Sequence, residues 1–139
     1  MMVGNFYKNI LDKVLLLEKA KKDLSRQILL CREDKKRLGL IRQFFQYELN
    51  RHELFEHAAV AAMNNDDKKV LKDIARFYNI DNENEVLAAI RSEINITRKF
   101  ISSLEKVIKY PRFASFSERR LVKEIEKYIL EKARLYMKL

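Results

Sequence analysis

The sequence predicts an all-α fold: a single-domain, four- to five-helix bundle over residues 1–139 with long first and fourth helices. Three observations predict it. Glycine and proline are scarce, with only Gly4, Gly39 and Pro111 in 139 residues, so the turns that sandwiches and barrels need are missing. Apolar residues recur with the three-four spacing of an amphipathic helix, and no segment alternates with period two for long enough to be a strand. Hydrophobic residues make up 47% and charged residues 35%, a globular composition in a chain long enough to bury its own core.

The first helix is expected from about Asn5 to Lys36. Tyr7, Ile10, Val14, Leu17, Leu24, Ile28 and Cys31 line one face, with Lys21 in one slot of the stripe. Such a stripe suits a helix seam, within the chain or against a second copy. The polar run Arg32–Arg37, followed by Gly39, predicts its end. The second helix, about Leu40 to Met63, turns Ile41, Phe44, Phe45, Phe55, Ala59 and Ala62 inward, and Asn64-Asn65-Asp66-Asp67 predicts the break after it. A short third helix, about Lys68 to Asn79, buries Val70, Leu71, Ile74 and Phe77. Asn82 with Glu85 fits a cap for the fourth, which presents Val86, Ile90, Ile94, Ile101, Leu104 and Ile108 before Pro111 stops it. Ser115 and Glu118 fit a capping box for the fifth, which carries Leu121, Val122, Ile125, Ile129, Ala133 and Tyr136 to the C-terminus.

Twenty-nine Lys and Arg against 20 Asp and Glu leave a net charge of +9. Residues 91–139 hold 13 of these bases against six acids, so most of the excess sits in the last third. Local cationic clustering in so basic a chain is the footprint of a partner rich in phosphate or carboxylate, although lysine- and glutamate-rich surfaces also occur simply as solvated faces. Arg98, Lys99, Lys106, Lys109, Arg112, Arg119, Arg120, Lys123, Lys127 and Arg134 flank the Pro111 turn and are the candidate nucleic-acid-binding residues. Lys132 and Lys138 continue the series. Arg120, Lys123, Lys127 and Arg134 fall on or near one side of the last helix. Tyr110, Phe113 and Phe116 interleave with the bases, either to stack on unpaired bases or to close the end of the core.

Other chemistries find little to work with. Cys31 is the one cysteine, which excludes an intrachain disulfide and a multi-cysteine zinc site; its place on the stripe makes it a small core hydrophobe. His52 and His57 lie five residues apart, about 140° around a helix, too divergent to share an ion. Glu48, His52 and Glu56 share one face and read as helix-surface pairs. No cofactor is expected, since the chain has neither a glycine-rich phosphate loop nor a nucleophile elbow. The third and fourth helices have a loose helix-turn-helix outline, but the would-be reading helix opens Asn82-Glu83-Asn84-Glu85, whose acids repel phosphate. No secretory signal or apolar span is present, so a cytoplasmic protein without membrane partners is expected.

One catalytic alternative rests on Arg51-His52-Glu53-Leu54-Phe55-Glu56-His57. With five residues between Arg51 and His57, this segment resembles the arginine–histidine signature of HEPN ribonucleases, which are small all-α proteins. A polar residue commonly follows the arginine in that family, and His52 stands there. The resemblance covers seven residues and implies a metal-independent ribonuclease, with His57 as general acid or base, Arg51 on the phosphate and two motifs meeting across a dimer. Glu53 and Glu56 bring negative charge that opposes phosphate. The principal expectation is non-enzymatic: a basic helical bundle that binds nucleic acid or an acidic protein surface through its C-terminal third. A purely protein–protein oligomerisation subunit, joined through the first-helix stripe, is the other alternative.

Overall fold

The break between the first two helices determines where later residues face. The computed structural model describes residues 2–138, with side chains from residue 6 onward. It contains α1 (Met2–Leu30), α2 (Asp34–Asn64), α3 (Lys68–Phe77), one 3-10 turn (Glu83–Glu85), α4 (Val86–Lys109) and α5 (Phe116–Lys138). Among the described residues there is no strand, and the class is all-α. The last residue of the expected fifth helix, Leu139, lies outside the described residues.

The expected break at Arg32–Gly39 is displaced. α1 ends at Leu30, α2 begins at Asp34, and α2, at 31 residues, is the longest helix, ahead of the first and fourth. Arg37 explains the shift. Its guanidinium donates to the Cys31 carbonyl at 3.1 Å, to the Asp34 carboxylate at 2.6 Å and to Glu126 of α5 at 3.0 Å. Asp34 in the first turn also suits the positive end of the helix dipole. The polar run is therefore the opening of α2 rather than the tail of α1. Cys31 falls in the loop, half-buried, with its thiol near the Glu33 carbonyl at 3.4 Å; the expected core cysteine is not on the helix stripe.

The later boundaries follow local chemistry closely. Asp66 takes a left-handed φ of 53°, and Asp67 caps α3 by accepting from the Val70 amide at 3.2 Å. α3 closes through Asn79 at φ 54°, where Ile80 N–H returns to the Ala75 carbonyl at 3.0 Å and Asn79 N–H to Arg76 at 3.2 Å. This is a left-handed cap with asparagine in place of glycine. Asn82 accepts from the Asn84 amide at 3.0 Å and so opens the 3-10 turn rather than α4 itself. Ser115 and Glu118 form the expected reciprocal box: the Ser115 amide donates to Glu118 at 2.9 Å and the Glu118 amide to the Ser115 hydroxyl at 3.1 Å.

α1, α2, α4 and α5 make a closed ring of neighbours, α1 on α2, α2 on α4, α4 on α5 and α5 on α1. Successive members run antiparallel: short links return α1 to α2 and α4 to α5, while α3 and the 3-10 turn carry the chain from the end of α2 to the start of α4. One hydrophobic cluster joins the first half of α1, the second half of α2, α3 and the first half of α4. The other joins the ends of α1 and α4 to the starts of α2 and α5. The first-helix stripe is consumed internally: Ile10, Val14, Leu24 and Ile28 are all buried. Phe77, expected inward, is 53% exposed and rests its ring against Phe55 at 4.8 Å between centroids, because α3 ends there and the chain turns away.

Gly39 now lies inside α2, and a Cβ built on it meets nothing within 4 Å. Gly39→Ala is expected to stabilise the fold by about 0.5–1 kcal/mol, through higher helix propensity and a less flexible unfolded chain. Equilibrium urea unfolding checks this; an unchanged or lower midpoint contradicts the placement of Gly39 in a helix.

Candidate nucleic-acid interface

α5 sorts its charges by side. Val122, Ile125, Ile129 and Ala133 are buried and define the inward line. At about 100° per residue, Arg120, Lys123, Lys127, Arg134 and Lys138 fall within roughly 60° of arc on the outer face. All five are exposed. Tyr128 and Lys132 line a cleft with residues of α2 and α4, so that flank turns toward α4. Glu124 and Glu131 lie between it and the cationic stripe. Glu126, on the opposite flank toward α1, is held by Arg37 at 3.0 Å.

The ten sequence-predicted residues do not form one patch. Arg98, Lys99 and Lys109 are exposed on α4, and Arg112 is exposed in the turn. Lys106 pairs with Glu118 at 3.3 Å, Arg120 reaches Glu124 at 3.6 Å, and Arg119 donates to the Pro111 carbonyl at 2.8 Å. Among the described residues, Lys123, Lys127 and Arg134 make no ion pair. Lys132, counted with them in sequence, turns inward and lies over the Phe44 and Tyr128 rings at 5.9 and 5.8 Å. The turn aromatics do not close the core: Phe113 and Phe116 are 77% and 79% exposed, and Ala114 is the buried residue of that turn.

α1 contributes cations that the sequence reading left out. Lys21 is only 2% exposed and marks the inward line with Val14 and Ile28. Lys13, Leu16, Leu17 and Ala20 face a groove against α2, which fixes one flank. Lys22 and Arg26 lie about 100° and 140° to the other side of Lys21, toward α5, and Lys19 lies about 160° away. All three are exposed and, among the described residues, make no ion pair. The signal was present: once Lys21 occupies a core slot, its neighbours must face outward.

Lys21 is anchored by an ion pair with Glu48, which is itself mostly buried, and by Glu18 at 3.4 Å. Arg51 binds the same two carboxylates, at 3.2 and 3.5 Å. Burial pushes the Glu48 carboxyl up, but Lys21, Arg51 and Lys132 outweigh it and hold the group below its ordinary range. His52, expected on the helix surface, is 4% exposed. Its Nδ1 lies 2.7 Å from the Tyr78 hydroxyl; the tautomer with the proton on Nε2, facing Glu48 at 3.7 Å, lets Nδ1 accept from that hydroxyl. Burial drives the imidazole down to about 4, with Arg51 and Lys21 adding to the effect and Glu48 opposing it. Burial likewise raises the Tyr78 phenol. Glu56 leaves this group and pairs with Arg91 of α4 at 3.1 Å.

The structure does not bring Arg51 and His57 together. Arg51 reaches inward to Glu18 and Glu48, whereas His57 is exposed along the α1–α2 groove beside Asn50, Glu53 and Leu54. Among the described residues, no group of three or more His, Cys, Asp or Glu side chains is placed to hold a metal ion, and no helix is long and apolar enough to cross a membrane. The class defined here is an all-α protein with a buried ion-pair layer. No protein-family model, curated protein or solved structure matches the chain.

Two outcomes follow for the buried layer. Because the folded state holds His52 near 4 against an ordinary value near 6.5, the unfolded chain binds the extra proton first. Stability is complete above about pH 6.5 and declines as pH falls toward 4, by at most about 3 kcal/mol. Urea titrations at intervals from pH 7 to pH 4 check the slope, which His52→Gln should flatten. Lys21→Met leaves Glu48 with Arg51 as its remaining close base and is expected to cost up to about 3 kcal/mol in the same urea unfolding, whereas adding Glu48→Leu recovers part of it.

Proposed function

We propose that the protein binds nucleic acid through the outer face of α5. The observation that carries this reading is the alignment of Lys123, Lys127 and Arg134 on one exposed strip, unpaired among the described residues, with Glu124 and Glu131 along its α4-side edge. Cations in such a row, spaced at four and seven residues, meet successive phosphates without carrying sequence information. Lys109 and Arg112 extend the positive field around the Pro111 turn. The protein acts as a binding protein in this reading, with no reaction assigned to Arg51 or His57.

Salt-dependent binding tests it directly. With about six phosphates neutralised, affinity for generic DNA or RNA falls roughly a thousandfold between about 50 and 200 mM salt. Replacing Lys123, Lys127 and Arg134 together by glutamine should reduce the salt slope by about three, while circular dichroism stays that of the parent. A slope unchanged by the triple substitution, or no binding at 50 mM, overturns the proposal.

A further inference from the structure

The cations that continue the α5 strip belong to α1, not to α4. We infer that Lys19, Lys22 and Arg26 of α1 and Lys123, Lys127 and Arg134 of α5 form two facing rows that straddle one groove of a nucleic-acid duplex. This rests on the reading that the protein binds nucleic acid, and adds the location and the strandedness of the target.

α1 and α5 are packed neighbours. On α1, Lys22 and Arg26 occupy the flank opposite the α2-facing groove of Lys13, Leu17 and Ala20. On α5, Lys123 and Arg134 occupy the flank opposite the α4-facing Tyr128 and Lys132. The acids between these flanks among the described residues are tied into the fold, and the exposed Asp12 and Asp23 of α1 border the row about 20° and 40° beyond Lys19. Glu18 is engaged by Lys21 and Arg51, and Glu126 by Arg37. The other wedge, between α5 and α4, contains Glu124 and Glu131 on its α5 side, and Arg98 lies on the opposite flank of α4, in line with Arg91 and Glu105, which pair with α2.

Dimensions favour a duplex. Packed helices stand about 8–10 Å apart from axis to axis, and lysine and arginine side chains reaching outward from both set their charges farther apart than that, toward the roughly 12 Å width of the major groove of B-form DNA. Each row can therefore follow the phosphates of one strand. From Arg120 to Lys138 the α5 strip runs about 27 Å, most of a duplex turn of about 34 Å. No exposed aromatic interrupts either row between Lys19 and Arg26 or between Lys123 and Arg134 on this flank. The exposed Tyr110, Phe113 and Phe116 cluster instead at the far turn, so the rows offer charge without a stacking platform, which suits backbone contact more than unpaired bases.

The experiment uses the full chain, a 20-base-pair duplex of arbitrary sequence and the matching single strand, followed by fluorescence anisotropy at several salt concentrations. Lys22→Gln with Arg26→Gln is expected to weaken duplex binding by about tenfold to a hundredfold and to lower the salt slope by about two. Lys69→Gln with Lys72→Gln on α3 removes equal charge and should leave binding unchanged. The duplex should bind more tightly than the single strand. The inference is overturned if the α1 pair has no effect while the α5 triple does, if Arg98→Gln with Lys99→Gln has the larger effect, or if the single strand binds as well as the duplex. Loss of effect from the α5 triple itself sinks the underlying reading instead, as does binding to anionic lipid vesicles without binding to the duplex.

Discussion

The ion pair between Lys21 and Glu48 is the constraint around which the rest is arranged. It lies where the two hydrophobic clusters meet, among Glu18, Arg51 and His52, with the buried Ser25 and Thr97 close in sequence to the same helical faces. Two charges taken out of water are costly, and their attraction repays that cost only when further partners satisfy them. Here those partners come from α1 and α2, with Lys132 of α5 adding to the field at Glu48. An apolar slip of α1 along α2 would strand both charges. The layer therefore specifies helix register more sharply than leucine packing alone, the role best attested for buried polar groups.

Register in turn settles the exterior. With Lys21 inward, Lys22 and Arg26 have no freedom to face anywhere but the α5 side, and Ala20 and Lys13 must face α2. Arg37 performs the equivalent task at the opposite end: by joining the end of α1, the start of α2 and Glu126 of α5, it pins the side of α5 nearest to α1. The positions of Lys123 and Lys127 follow from that pin and from the buried line of Val122, Ile125 and Ile129. The outer charge pattern is thus a consequence of interior contacts several residues away.

Much of this was legible in the sequence. The helical class, the break at Asn64–Asp67, the capping box at Ser115, the stop near Pro111 and most inward-facing residues follow from spacing and local hydrogen bonding. What was not legible depends on contacts between distant segments. The α1–α2 break is set by Arg37 reaching Glu126, 89 positions away, while Gly39 and the polar run supply a local stop signal that tertiary contact overrides. His52 and Glu48 have the spacing of an ordinary surface pair, and only the presence of Lys21 and Tyr78 opposite makes them interior. The cationic third was recognised by composition, but composition cannot say that Lys132 turns in, that Glu124 and Glu131 separate α4 from the α5 strip, or that α1 supplies a second row.

The distribution of acids explains which cations a chain with 20 carboxylate side chains leaves unpaired. Glu18 and Glu48 are bound within the layer, Glu126 by Arg37, Glu118 by its own cap and Lys106, Glu56 by Arg91 and Glu105 by Arg42. Each of these acids is tied to a base that serves the fold, so neither member contributes much to the distant field. The bases left over include Lys22, Arg26, Lys123, Lys127 and Arg134, which make no ion pair among the described residues, while Asp12, Asp23, Glu124 and Glu131 stay exposed at the edges of their rows. Exposed charges of one sign held side by side repel, a cost to the folded state that salt or a polyanion relieves. The interior pairs supply the rigidity against which that repulsion is held, which connects the buried Lys21–Glu48 contact to the cationic face on the opposite side of the same helix.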